Sequence, residues 1–120
     1  MSAQNVVAIG ANCVVRIRNM FFLVVEIEVD AINLSEFVFI QISGREASIL
    51  LAAGVKRCQI SNRIPTGNAV LTCVLIVAGE AFAVFDVEDT TDEAVLVRIS
   101  LREAERLIRR GVRRCTVISR

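Results

Sequence analysis

The last 21 residues of the chain repeat, without a gap, a segment that ends at Arg63. Ser43, Arg45, Glu46 and Ala47 return as Ser100, Arg102, Glu103 and Ala104. Leu50, Gly54, Val55, Arg57, Cys58 and Arg63 return as Leu107, Gly111, Val112, Arg114, Cys115 and Arg120, so ten of 21 positions are identical at an offset of 57. Upstream the offset is 60: Asn12-Cys13-Val14 faces Thr72-Cys73-Val74, and Phe22–Glu28 faces Phe82–Glu88 with two carboxylates in phase. The change implies a three-residue insertion in the first copy, between Asp30 and Phe37. Repetition constrains architecture before any single residue does, and 120 residues bury one core but not two. The expected organisation is one domain over 1–120, in which repeat 1 (about 5–63) and repeat 2 (about 69–120) share a core across a linker at 64–68 that holds the only proline.

Each copy reads as strands, a helix and a closing strand. Val15-Arg16-Ile17-Arg18 and Val25-Glu26-Ile27-Glu28-Val29 alternate with period two, the pattern of a half-buried strand. Phe37–Ile42 and Thr72–Val77 are more continuously apolar, as strands covered on both faces are. Ser43 with Glu46 and Ser100 with Glu103 form S-x-x-E capping boxes, and Gly54 and Gly111 stand where a left-handed residue would end each helix. These signals predict helices near 44–53 and 101–110. Ala47, Leu50 and Leu51, like Ala104, Leu107 and Ile108, make one stripe toward a sheet. A strand then follows each glycine, with Cys58 and Ile60, or Cys115 and Val117, on one face. Two such units predict an α+β fold closed as a pseudo-twofold barrel or a two-sheet sandwich. In outline this is similar to small duplicated barrels such as the double-psi barrel, a resemblance of architecture alone.

Apolar residues make up 54% and the mean hydropathy is +0.58, more than a small domain can hide. Excess of this kind points to faces buried between subunits. The longest apolar runs, Met20–Val25 and Ala69–Ala78, fall short of the ~20 residues of a spanning helix, so no membrane insertion is expected. No basic, apolar and cleavage-site sequence opens the chain, which makes the cytoplasm the expected location. Cys13, Cys73, Cys58 and Cys115 occupy repeat-equivalent positions without a C-x-x-C pair or a histidine. They are expected as reduced, buried thiols, with disulfides as the alternative.

With no histidine and no G-x-S-x-G, G-x-x-x-x-G-K-[ST] or G-x-G-x-x-G motif, the expectation is a non-enzymatic protein without cofactor. Two features could still do chemistry. Glu26 and Glu28, with Asp86 and Glu88, form pairs that could gather as a carboxylate cluster, although such alternation ordinarily marks the solvated face of a strand. Arg102, Arg106, Arg109, Arg110 and Arg113 make the second helix a basic ridge, while Glu80–Glu93 carries six acids and no base. Ionic self-contact between these segments is favoured over nucleic-acid binding because both signs occur in one chain. The first helix differs: Ser48, Ile49, Ala52 and Ala53 stand where the second has Glu105, Arg106, Arg109 and Arg110. A smooth face on one unit and a charged one on the other suit head-to-tail contact. The expected function is self-assembly as a homo-oligomer. A nucleic-acid-binding or regulatory module, and a small-ligand or cation-binding barrel, are the alternatives.

Overall fold

The computed structural model describes residues 6–29, 34–87 and 93–120, with side chains over 10–27, 36–87 and 93–120. Strands β1 (Val6–Ile17), β2 (Met20–Val29) and β3 (Leu34–Ile42) lead into helix α1 (Gly44–Ala52) and strand β4 (Gln59–Ser61). Strands β5 (Ala69–Val77), β6 (Glu80–Val87) and β7 (Val95–Ile99) lead into α2 (Leu101–Arg109) and β8 (Thr116–Ile118). The inferred insertion falls largely on residues outside those described, as do Glu88, Asp89 and Asp92.

The strands form two four-stranded sheets, β1-β2-β3-β8 and β4-β7-β6-β5. Each closing strand therefore leaves its own half. β8 pairs in parallel with β3, Val38 facing Thr116, and β4 pairs in parallel with β7, Gln59 facing Val95. All other strand pairs are antiparallel. The residues before each closing strand also bond the opposite sheet. Val14 donates to the Lys56 carbonyl at 2.8 Å and accepts from Cys58 N at 2.9 Å, while Val74 donates to Arg113 at 2.9 Å and accepts from Cys115 at 2.8 Å. One short stretch thus stitches both sheets at each edge, through the bridges Val14–Arg57 and Val74–Arg114.

Between the sheets lies a core cluster drawn from both halves, with Phe22, Val24, Phe37 and Phe39 packed with Leu75, Phe82, Val84 and Leu96. The helices cover outer faces. Ala47, Leu50 and Leu51 pack with Val14 and Ile42, and Ala104, Leu107 and Ile108 pack with Val74 and Ala81, as the stripes predict. Both helices end in the same hydrogen-bond motif: Val55 N donates to the Leu50 carbonyl and Gly54 N to Leu51, as Val112 does to Leu107 and Gly111 to Ile108. Gly54 at φ +105° and Gly111 at φ +103° supply the left-handed residue it needs.

The start of α2 departs from expectation. Ser43 and Glu46 form the full reciprocal box at 3.0 and 2.9 Å. At α2 the Ser100 hydroxyl accepts from Glu103 N at 3.0 Å, but the Glu103 carboxylate is instead 3.4 Å from Arg106, one turn on.

The cysteines are a correction. They are buried but not reduced: Cys13 is bonded to Cys58 and Cys73 to Cys115. The stitches explain the pairing, because each draws the stretch before a closing strand against β1 or β5 and brings the two Cα atoms to 5.0 Å in both bridges.

Candidate functional site

Among the contacts between the halves, two acid–base pairs are built from corresponding positions. At the first, the Glu36 carboxylate in β3 stands 2.6 Å from Nη2 of Arg113 and accepts a 2.9 Å hydrogen bond from Thr116 Oγ1. At the second, the Glu93 carboxylate just before β7 stands 3.2 Å from Nζ of Lys56. Glu93 and Arg113 follow Glu36 and Lys56 at the same offset of 57 that aligns the helices. In each pair the acid comes from one half and the base from the other. Sequence reading takes Glu93 only as part of an acidic segment and passes over its correspondence with Glu36, and that of Arg113 with Lys56, although the offset of 57 already aligns them. A bulge in β1 at Asn12 and one in β5 at Thr72 sit beside the two disulfides. Asn12 Oδ1 accepts from Ala94 N at 2.8 Å across the halves, whereas Thr72 donates to the Val84 carbonyl at 3.0 Å within its own sheet.

The junctions differ in closure. The Glu36 junction, lined by Phe37, Thr72, Cys73, Arg113 and Cys115, leaves a void of about 10 Å³. The Glu93 junction opens as a pocket of about 380 Å³ lined by Ala11, Asn12, Ala53, Gly54, Val55 and Lys56. Glu93 itself is buried, with 8% of its side chain exposed, while the Lys56 side chain is 77% exposed.

The five arginines expected to form a ridge divide. Arg113 is held at the Glu36 junction and Arg106 lies beside Glu103. Arg102, Arg109 and Arg110 are exposed and make no ion pair among the described residues. Of the acids of 80–93, Glu80 is 3.0 Å from Arg18 and 2.6 Å from Arg98, and Glu93 is 3.2 Å from Lys56.

Glu26 and Asp86 do not lie on a solvated face, which corrects the ordinary reading of their alternation. They continue the inward faces of Phe22 and Val24 in β2 and of Phe82 and Val84 in β6, and both are half-buried. Phe37 is the partner of Glu26 across the ladder. Glu88 and the side chain of Glu28 lie outside the described residues. Among the described residues no three cysteine, aspartate or glutamate side chains come together as a metal site would require, and no helix is long and apolar enough to cross a membrane.

The outer faces of the helices differ as their sequences imply. Ser48, Ile49, Ala52 and Ala53 of α1 are all exposed, Ile49 to 60%. The last turn of α1 carries no basic residue, whereas that of α2 carries Arg106 and Arg109. The edge strands β4 and β8 also expose Ile60 and Ile118.

At the start of α1, Arg120 Nη1 reaches both Glu46 oxygens, at 2.6 and 2.7 Å. That contact, joined by the Ser43 N–H, lowers the Glu46 pKa to about 2. Compared with known protein families, characterised proteins and solved structures, the chain matches none.

Proposed function

We propose that the protein is a non-enzymatic, self-assembling structural protein, built from two copies of one unit that share one core as a pseudo-twofold barrel or a two-sheet sandwich, the two four-stranded sheets favouring the sandwich. In this reading, copies join head to tail, the outer face of α1 in one against the arginine face of α2 in the next. The observation that carries it is the contrast between the two helices. One offers Ile49, Ala52 and Ala53 to solvent, and the other offers Arg102, Arg109 and Arg110 with no ion pair among the described residues. The duplication is supported by matching C-terminal helix ends, bulges, disulfides and reciprocal closing strands at offsets of 57 and 60. Unlike surfaces on one chain build rings or filaments rather than symmetric pairs.

Size-exclusion chromatography with light scattering, at low and high salt, tests the reading. The expected result is an oligomer or polymer at low salt that shrinks when salt screens the arginines. A monomer of 13.2 kDa under both conditions defeats it. In that case the same three arginines carry the second reading, contact with a nucleic-acid backbone, whose affinity would fall steeply with salt. Arg106→Glu/Arg110→Glu separates the two: assembly lost from a parent without nucleic-acid affinity supports the first, and binding lost with assembly intact supports the second.

A cytoplasmic location requires that both disulfides survive there. They would do so in the disulfide-rich interiors of hyperthermophiles and not in a glutathione-reduced cytosol. An oxidising compartment is the alternative, and counting free thiols in protein trapped directly from cells decides between them.

A further inference from the structure

We infer that the chain exchanges halves with a second copy of itself, the first half of each closing on the second half of the other to form an intertwined dimer. The surface used is the face between the halves and not the helix faces, so the inference stands apart from the head-to-tail reading. The first argument is where the covalent links lie. Cys13–Cys58 is contained in the first half and Cys73–Cys115 in the second. Each half is therefore stapled to itself, and the linker at 64–68 is the covalent connection between them. Two chains can trade halves without breaking either bridge.

The second argument is that neither half is complete alone. β4 leaves the first half to pair with β7, and β8 leaves the second to pair with β3. The core cluster is drawn from both sides, with Phe22, Val24 and Phe39 of one half packed with Leu75, Phe82 and Leu96 of the other. Polar contacts follow the same division: Glu36 meets Arg113, Asn12 meets Ala94, and Glu46 meets Arg120. All of these are satisfied equally by a second half from the same chain or from another. A half without a partner exposes a core face and a strand edge, and both fit the one surface that matches them.

The third argument is the hinge. Asn62, Arg63, Ile64, Thr66, Gly67 and Asn68 are exposed, Ile64 to 69%. Arg63 N donates to Ser61 Oγ at 3.0 Å and Ala69 N to the Gly67 carbonyl at 2.9 Å, local bonds that the chain carries with it in either form. Pro65 fixes its own φ and biases Ile64 to extended backbone, which suits a hinge that reaches away as well as one that folds back. Because both forms make the same contacts between halves, closure prevails only through the effective concentration that the linker provides, on the order of millimolar for a short flexible connection. Exchange of an identical element between copies is accordingly a low-cost route to a dimer.

Isotope mixing tests this in the parent chain. Unlabelled and heavy-isotope protein are unfolded together in urea without reductant, so that both bridges persist, and refolded near millimolar concentration in high salt, which screens the helix contact. A carbodiimide then joins Lys56, the only lysine, to Glu93, 3.2 Å away in the other half. The expected product is a salt-resistant dimer in which about half of the Lys56–Glu93 cross-links join a heavy chain to a light one, as random pairing of exchanged halves requires. A sample that refolds wholly as monomer overturns the inference, and so does a dimer whose Lys56–Glu93 cross-links are all heavy to heavy or light to light. Either result leaves head-to-tail assembly at low salt standing. Should the carbodiimide leave Glu93 unlinked, removal of Pro65, Thr66 and Gly67 decides. The shortened chain is expected as a dimer at high salt even when dilute, and a folded monomer or an unfolded chain refutes exchange.

Discussion

Arg113 stands 2.6 Å from Glu36 across the junction of the two halves, and neither side chain is fully buried, with 44% and 26% exposed. Solvent screens a pair of this kind, so its coupling should sit near the upper end of the surface range, about 0.5–1 kcal/mol. A double-mutant cycle of Arg113→Ala and Glu36→Ala in urea measures it. A coupling of zero would mean that register between the halves comes from the strands and disulfides alone.

The disulfides should weigh more. Cys13–Cys58 and Cys73–Cys115 close successive loops with sequence separations of 45 and 42 that do not overlap. Chain entropy alone then assigns about 4 kcal/mol to each. Cys13→Ala/Cys58→Ala should lower stability by about 2–4 kcal/mol. Loss of both bridges should approach the whole stability of a domain this size, roughly 5–15 kcal/mol. Urea titrations with and without reductant check this, and equal midpoints would refute it.

Backbone conformation gives two changes of opposite sign. Gly54 sits at φ +105° with nothing within 4 Å of where a Cβ would project, so Gly54→Ala should cost about 1–2 kcal/mol from conformation alone. In the β5–β6 turn, Ala78 has φ 52° beside Gly79 at φ 75°, a pairing that suits asparagine at the first position. Ala78→Asn should raise stability by about 0.5–1 kcal/mol. Thermal melts of both variants measure the signs.

Glu46 makes stability depend on acid. Its carboxyl falls from an ordinary 4.5 to about 2 in the folded chain, chiefly through Arg120. A lowered folded pKa contributes stability in full above the unfolded value and loses it as pH drops. The contribution should therefore be complete above about pH 4.5 and gone below about pH 2. Both groups are at the surface, so 1 M salt should flatten the effect. Glu46→Gln should show less loss across that window than the parent in acid unfolding, and identical curves would exclude the role.

Much of the local structure was legible in the sequence, because local signals act within a few residues. Ser43, Glu46 and Gly54 mark α1 to within a residue of its ends, and the apolar stripes face the sheets as read. What eluded reading was long-range. An offset of 57 says that Ile60 and Val117 occupy like positions, but it cannot say whether each strand pairs in its own half or in the other. The cysteine pairing followed from that choice, since only the stitches at Val14 and Val74 draw the thiols together. Glu26 misled for another reason. Alternation separates the two faces of a strand without naming the wet one, and Phe22 and Val24 settle it as the inward face. Glu36 and Glu93 were visible as a repeated acid, but their meaning needed Arg113 and Lys56 brought across the fold.

The exchange of closing strands has a consequence for synthesis. The sheet begun by β1, β2 and β3 takes its fourth strand from β8, made only after the whole of the second half. Until Thr116 lies against Val38, a nascent chain holds an open edge beside β3 that a neighbouring nascent chain could occupy. Contacts so distant in sequence also form slowly. The interval between translation of β3 and arrival of β8 is thus the time in which this protein is most exposed to joining the wrong partner, and crowded polysomes would make that interval matter.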